Sequence, residues 1–193
     1  MMELILASQS PRRRQLLSTL GVDFSVKVAD IDETPVAGET PEVCVDRLAR
    51  GKADAVWHTL QDRLDKVVLA ADTIVVVDQK ILGKPRTREH AVHMLTQLSG
   101  RKHRVLTAVA LQNETSQQCT IQTSEVSFAT LAEDEIQRYV ATGEPDDKAG
   151  AYAIQGLAAA FVVSLTGSYS GVVGLPLYET RQLLRRFGIH TAI

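Results

Sequence analysis

Between residues 67 and 77 only Asp72 and Thr73 are not apolar. The run is rich in β-branched residues. It has neither the alternation of a half-exposed strand nor the spacing of an amphipathic helix. It therefore predicts a central strand covered on both faces, which needs further layers on either side of its sheet. Asp72 interrupts that strand. An ionised carboxylate there is costly unless it is paired, bound to a metal or placed at the strand end. Two readings follow: a functional carboxylate, or a buried Asp that caps a neighbouring turn.

The flanking segments supply those layers. Residues 4–7 read as a short buried strand. Ser8 or Ser10 then caps a helix that has Pro11 at its first position and Gly21 past its end. Residues 24–28 read as a strand and 29–40 as an acidic loop holding Asp30, Asp32 and Glu33. Thr40-Pro41 opens a long helix in which Val45, Leu48, Ala49, Val56 and Leu60 keep helical spacing. Gly83-Lys84-Pro85 is a turn, and residues 87–98 form an amphipathic helix stopped by Gly100. His103, Val105, Thr107, Val109 and Leu111 alternate, and beyond residues 113–116 a second alternating run extends to Phe128. Together they predict an antiparallel hairpin. Thr130 and Glu133 suggest a capping box for a helix ending near Gly143. Residues 146–156 read as a polar loop and strand, and 161–165 as a strand. Pro176 and Gly188 bracket a last helix. Crossovers and hairpins together predict an α/β fold with a mixed sheet, in a single domain spanning 1–193.

Charge is nearly balanced, with 21 Lys and Arg against 23 Asp and Glu for a net −2. That argues against a dedicated polyanion binder. Four Phe, four Tyr and one Trp offer little material for base-stacking platforms. Cys44 and Cys119 form neither a disulfide framework nor a zinc motif. They read as buried structural thiols in a reducing compartment. Arg12-Arg13-Arg14 follows the first apolar stretch, the reverse of signal-peptide order. The apolar run 157–163 is far too short to span a bilayer. The expectation is a cytoplasmic protein with neither nucleic acid nor membrane as partner.

Several residues are suited to chemistry. Ser8-Gln9-Ser10-Pro11-Arg12-Arg13 passes from a strand into a helix. The N–H groups at a helix start, with two guanidinium groups, make a cradle for a phosphate or carboxylate. The alternative is an ordinary capped helix with solvated arginines. Asp30, Asp32 and Glu33 offer hard oxygen ligands for Mg²⁺ or Mn²⁺, or simply a solvated loop. Lys52 on the long helix and Lys84 in Gly-Lys-Pro are point charges suited to a phosphate, or solvent-facing lysines. On the first reading, substituting either lysine is expected to lower activity and leave stability unchanged. No P-loop frame surrounds Lys84. His58, His90, His93, His103 and His190 form no metal motif, and no nucleophile elbow is present.

Seven stretches occur in order: Ala7-Ser8-Gln9-Ser10-Pro11-Arg12-Arg13, Asp32-Glu33, Leu48-Ala49-Arg50-Gly51-Lys52-Ala53, Ala71-Asp72-Thr73, Gly83-Lys84-Pro85, the segment from Asp147 to Gly156, and Gly167-Ser168-Tyr169 with Val173-Gly174-Leu175-Pro176. This set resembles the Maf family of nucleoside triphosphate pyrophosphatases and covers almost the whole chain. Two positions depart from many members: Gly51 replaces an acidic residue before the helix lysine, and Gly171 replaces an Asn.

The resemblance implies a fold like that of the inosine triphosphate pyrophosphatases, an elongated mixed sheet flanked by helices, with two lobes and a central cleft. It implies hydrolysis of a nucleoside triphosphate to the monophosphate and pyrophosphate, with Mg²⁺ or Mn²⁺ as cofactor, in the cytoplasm, by a homodimer. Asp72 matches the proton acceptor for the attacking water. Glu33 and Asp72 match the metal positions, and Ser8, Arg12, Arg13, Lys52 and Lys84 the phosphate-binding ones. Arg12, Thr73 and Gln155 resemble the specificity positions of the branch acting on dTTP and UTP. A Gln amide offers one donor and one acceptor to the imide edge of thymine or uracil, which gives Gln155 an independent chemical reason. The family has been linked to removal of non-standard nucleotides and to arrest of cell division. The alternatives are the branch of the family acting on 7-methyl-GTP, and a non-enzymatic regulator of division.

Overall fold

The computed structural model describes residues 2–28 and 30–193; Met1 and Ala29, the first residue of the predicted acidic loop, lie outside the described residues. Among the described residues the elements are β1 (Glu3–Leu6), α1 (Pro11–Ser18), β2 (Phe24–Val26), α2 (Pro41–His58), β3 (Lys66–Val77), β4 (Lys80–Leu82), α3 (Arg88–Leu98), β5 (Lys102–Gln112), β6 (Gln117–Phe128), α4 (Glu133–Ala141), β7 (Val162–Thr166), α5 (Tyr169–Val173) and α6 (Leu177–Arg186). One mixed, open, seven-stranded sheet runs in the order β2-β1-β3-β5-β6-β7, with β4 paired to β3.

The expected central strand is β3. It is buried along almost its whole length, with Thr73 half-exposed beside Asp72. β1 pairs in parallel with both β2 and the first half of β3, with Ile5 opposite Ser25 on one side and Val68 on the other. The crossovers between these parallel strands are α1 and α2, placed by their caps. Ser10 Oγ accepts the Arg13 N–H and Thr40 Oγ1 accepts the Val43 N–H, each with Pro at the first helical position. β5 and β6 are sheet neighbours joined by the short turn the alternation predicts, closed by the Asn113 N–H on the Ser116 carbonyl at 3.0 Å.

Three local expectations are corrected. The helix expected from Thr130 begins at Glu133, with Ala132 as its cap. The Glu135 carboxylate accepts the Ala132 N–H at 2.8 Å, and Ala has no side-chain acceptor to reciprocate. Residues 146–156 hold no strand. They form a loop with one 3-10 turn, Ala149–Ala151, because consecutive left-handed residues, Gly150 and Ala151 at φ 68° and 59°, break any extended run. β4 was not expected. It turns back from β3 through Asp78 and Gln79 at φ 50° and 61°, a reversal usually signalled by glycine or asparagine.

The chain divides into two compact units, with cuts inside β3, β5 and β6. The first contains the chain up to Asp72, Thr107–Gln122 and Gly174–Ile193. Its core joins Leu4 and Leu6 of β1 and Leu17 of α1 to Leu69 of β3 and to Leu183 and Leu184 of α6. The second contains Thr73–Leu106 and Thr123–Val173. Its core joins Val75 and Val77 to Leu95, Phe128, Tyr139 and Ile154. No helix among the described residues is long and apolar enough to cross a membrane.

Candidate active site

The first unit gathers most of the expected site residues. Asp72 is the last residue of its part of β3 and is only 6% exposed. Lys52, on α2, places Nζ 2.6 Å from Asp72 Oδ1 and 2.5 Å from Glu33 Oε1. A carboxylate from a strand and one from a loop thus converge on a single ammonium. Asp72 is therefore a paired buried charge, as a carboxylate inside an apolar strand requires.

The loop bearing Glu33 is braced against α2. Arg47 donates from Nε to Glu39 Oε1 at 2.7 Å, and from Nη2 to Glu39 Oε2 at 2.9 Å and to the Thr34 carbonyl at 3.2 Å. The Arg47 contact holds the Glu39 carboxyl down at about 2. Asp32 takes a different part from Glu33: its Oδ1 accepts the Thr34 N–H at 2.9 Å, which forms an Asx turn, and hydrogen bonds from the Thr34 side chain and from that N–H lower its pKa. Asp30 is exposed. Gly51 lies beside Lys52 on α2, where a Cβ would meet Ile31 Cδ1 at 3.5 Å. That is an ordinary contact, and nothing in the structure explains the departure at Gly51.

Ser8 and the arginines stand at the start of α1. Ser8 is buried, and its Oγ accepts the Ser10 N–H at 3.2 Å, so its own O–H is the donor available to an anion. Arg13 donates from Nε to the Gly174 carbonyl at 2.8 Å, which aims the guanidinium. Burial lowers the Arg13 pKa, while the charge of Asp72 raises it, as does that of Glu33. Arg12 is half-buried.

Lys84, Thr73 and Gln155 belong to the second unit. Lys84 is exposed after β4, in a turn anchored by the Gly150 N–H on the Gly83 carbonyl at 3.0 Å. Gln155 is exposed in a turn closed by the Gly156 N–H on the Ala153 carbonyl at 3.0 Å.

Sequence reasoning missed Arg47 and Glu39. Their pairing spans α2's capped start and carries no short motif. The expectation that Lys52 leaves stability unchanged is also corrected, because its side chain is only 15% exposed and is the partner of a buried carboxylate. Cys44 is buried, as expected, whereas Cys119 is only half-buried; desolvation pushes Cys44 up to about 11 and Cys119 up to about 12.

No group of three or more His, Cys, Asp or Glu is placed to hold a metal among the described residues. Two carboxylates already share one cation, however, with Lys52 Nζ as its stand-in. Mg²⁺ commonly takes one or two carboxylates and completes its shell with water and substrate phosphates, so the donor set fits a divalent ion.

A family model described as Maf-like protein matches residues 3–187. The chain belongs to the Maf-like family. A dTTP/UTP pyrophosphatase of Pseudoalteromonas atlantica is 51% identical over 187 residues, covering 96% of this chain and 97% of that protein. Another, from Colwellia psychrerythraea, is 52% identical over 195 residues, covering 98% and 92%. A HAM1 protein from Coxiella burnetii shares the fold at a TM-score of 0.51 and 18% identity, over 96% of this Maf-like chain and all of that one.

Proposed function

We propose that this chain acts as a single Maf-like domain that hydrolyses dTTP and UTP to the nucleoside monophosphate and pyrophosphate. The convergence of Glu33 and Asp72 on one cationic nitrogen, with Arg13 in their electrostatic reach, carries this reading. Such a group suits a polyanion that gains charge on its leaving group as it reacts.

Asp72 is the base. It orients a water and takes its proton as the water oxygen bonds to the α-phosphorus. The bond from that phosphorus to the bridging oxygen breaks, and its electron pair leaves with pyrophosphate. Arg12, Arg13, Lys52 and Lys84 supply fixed positive charge to the triphosphate, and the Ser8 hydroxyl donates to a phosphate oxygen. Glu33 and Asp72 would hold Mg²⁺ or Mn²⁺, which lowers the pKa of a bound water and neutralises charge on the leaving group. An unaided Asp with a reference pKa of ~3.9 is a weak base for water, so this assistance matters. Lys52, which pairs with both carboxylates, would then turn its charge to the phosphates.

Arg12, Thr73 and Gln155 set base preference, Gln155 by pairing with the imide edge of thymine or uracil. A mismatched edge leaves polar groups unpaired at ~1–3 kcal/mol each. The partner is a small nucleotide, in the cytoplasm, and the assembly a homodimer, which solution mass reads directly.

The test is pyrophosphate release from dTTP, UTP, CTP, GTP and 7-methyl-GTP with Mg²⁺ or Mn²⁺. The parent should favour dTTP and UTP, and Gln155→Glu should lose these most. Release of orthophosphate alone would move cleavage to another bond and overturn the activity. A preference for 7-methyl-GTP would overturn only the base assignment. Metal-independent inertness toward every triphosphate would favour the non-enzymatic regulator.

A further inference from the structure

One side-chain relay grips both ends of the turn that carries Gln155. On the near side the Ala153 N–H donates to Tyr139 Oη at 3.2 Å. That hydroxyl donates to Glu144 Oε1 at 2.9 Å. On the far side Glu144 Oε2 accepts the Leu157 N–H at 3.0 Å. Tyr139 and Glu144 therefore bridge residue 153 to residue 157, with Gln155 exposed between them.

The surrounding backbone is built to the same end. A Cβ on Gly156 would overlap the Glu144 carboxylate, which would have to shift away from the turn. Just upstream, Tyr152 Oη and His103 Nε2 are 2.8 Å apart in the core of the second unit. Ala151 is held at φ 59°, a conformation that costs energy outside glycine and persists only where its surroundings enforce it. An exposed loop tip is ordinarily mobile, and fixing its backbone opposes folding entropically.

We propose that Tyr139 and Glu144 are positioning residues that fix the backbone of the Gln155 turn and so present its side chain to the base. This rests on the base preference proposed above. Uracil and cytosine differ by the exchange of an acceptor for a donor along one edge. On a loose turn the Gln155 amide meets that edge only part of the time and discriminates less. On a fixed backbone it is presented to the edge throughout, and the ordering cost of the turn has been met before the nucleotide arrives.

Tyr139→Phe removes the hydroxyl and keeps the ring, which packs against Phe161 at 5.2 Å between centroids. The kcat/KM ratio of dTTP to CTP should fall about ten-fold, the scale of one hydrogen bond, with KM for dTTP carrying the larger part. Glu144→Gln breaks one arm of the relay and should lower the ratio in the same direction, which keeps the test available if Tyr139→Phe fails to fold. In a Gln155→Ala background neither substitution should change the ratio further, a coupling that a merely structural role would not produce. A parental ratio in folded Tyr139→Phe, or effects that simply add to those of Gln155→Ala, would overturn the positioning role. Absence of any base preference in the parent would instead overturn the assignment of Gln155 itself, and this role with it.

Discussion

Lys52 donates from Nζ to Asp72 Oδ1 across 2.6 Å, joining the middle of a long helix to the one acidic residue of the central strand. Both side chains are largely buried, at 15% and 9% exposed, so each is the answer to the other's desolvation. Glu33 shares the same nitrogen from the more exposed side.

Asp72→Asn keeps the side-chain shape and removes the charge. A general base typically contributes ~10²–10⁴-fold, so turnover should fall at least that far. Pyrophosphate release and Tm are read on the same preparation. Near-normal turnover in a folded variant would reduce Asp72 to a partner of Lys52.

Lys52→Ala and Lys84→Ala should part company. Both should lower activity. Lys52→Ala leaves a buried carboxylate without its partner and should lose about 1–3 kcal/mol in urea unfolding. Lys84 is exposed, and its removal should shift stability by no more than about 0.5 kcal/mol. Equal stabilities for the two variants would contradict the pairing.

Gly51→Ala should stabilise the protein. Gly51 is interior to α2, and a Cβ there makes ordinary contact with Ile31. Glycine costs about 1 kcal/mol relative to alanine in such a position, so the midpoint of unfolding should rise. A lower midpoint would mean that Ile31 cannot accommodate even a methyl group.

Stability should decline on acidification between pH 6.5 and 4. Burial pulls the His103 imidazole down from 6.5 to about 4, so over that window the unfolded chain binds a proton that the folded chain refuses. The contribution is intact above pH 6.5, is lost as pH falls, and levels off below 4; at ~1.4 kcal/mol per unit it amounts to at most about 3 kcal/mol. His103→Gln should flatten this part of the profile. Glu39, held down at about 2 by Arg47, acts mostly in a lower window, between its ordinary 4.5 and 2, and overlaps that of His103 only below pH 4.5.

By itself the sequence determined the elements whose causes are local. β3 follows from an unbroken apolar run, and α1, α2 and α3 from a capping Ser or Thr at each start. The β5–β6 hairpin follows from alternation around a short polar turn. Asp72 was legible as an anomaly, because a charge inside such a strand demands a cause. Its partner was not: Lys52 lies 20 residues away, and nothing at that spacing marks the pair. The weaker local signals misled for the same reason. Thr130 resembles a cap but the helix starts at Glu133, and the β3–β4 turn uses Asp78 and Gln79 in place of glycine. Tertiary structure decided which of three acidic residues meets Lys52, through the Arg47–Glu39 brace that lays the loop on α2, and how the Gln155 turn is held. Hydrophobic period and capping act over a few residues and can be read along the chain. Hydrogen bonds and ion pairs between distant segments depend on how those segments pack, and become visible only once the sheet has brought them together.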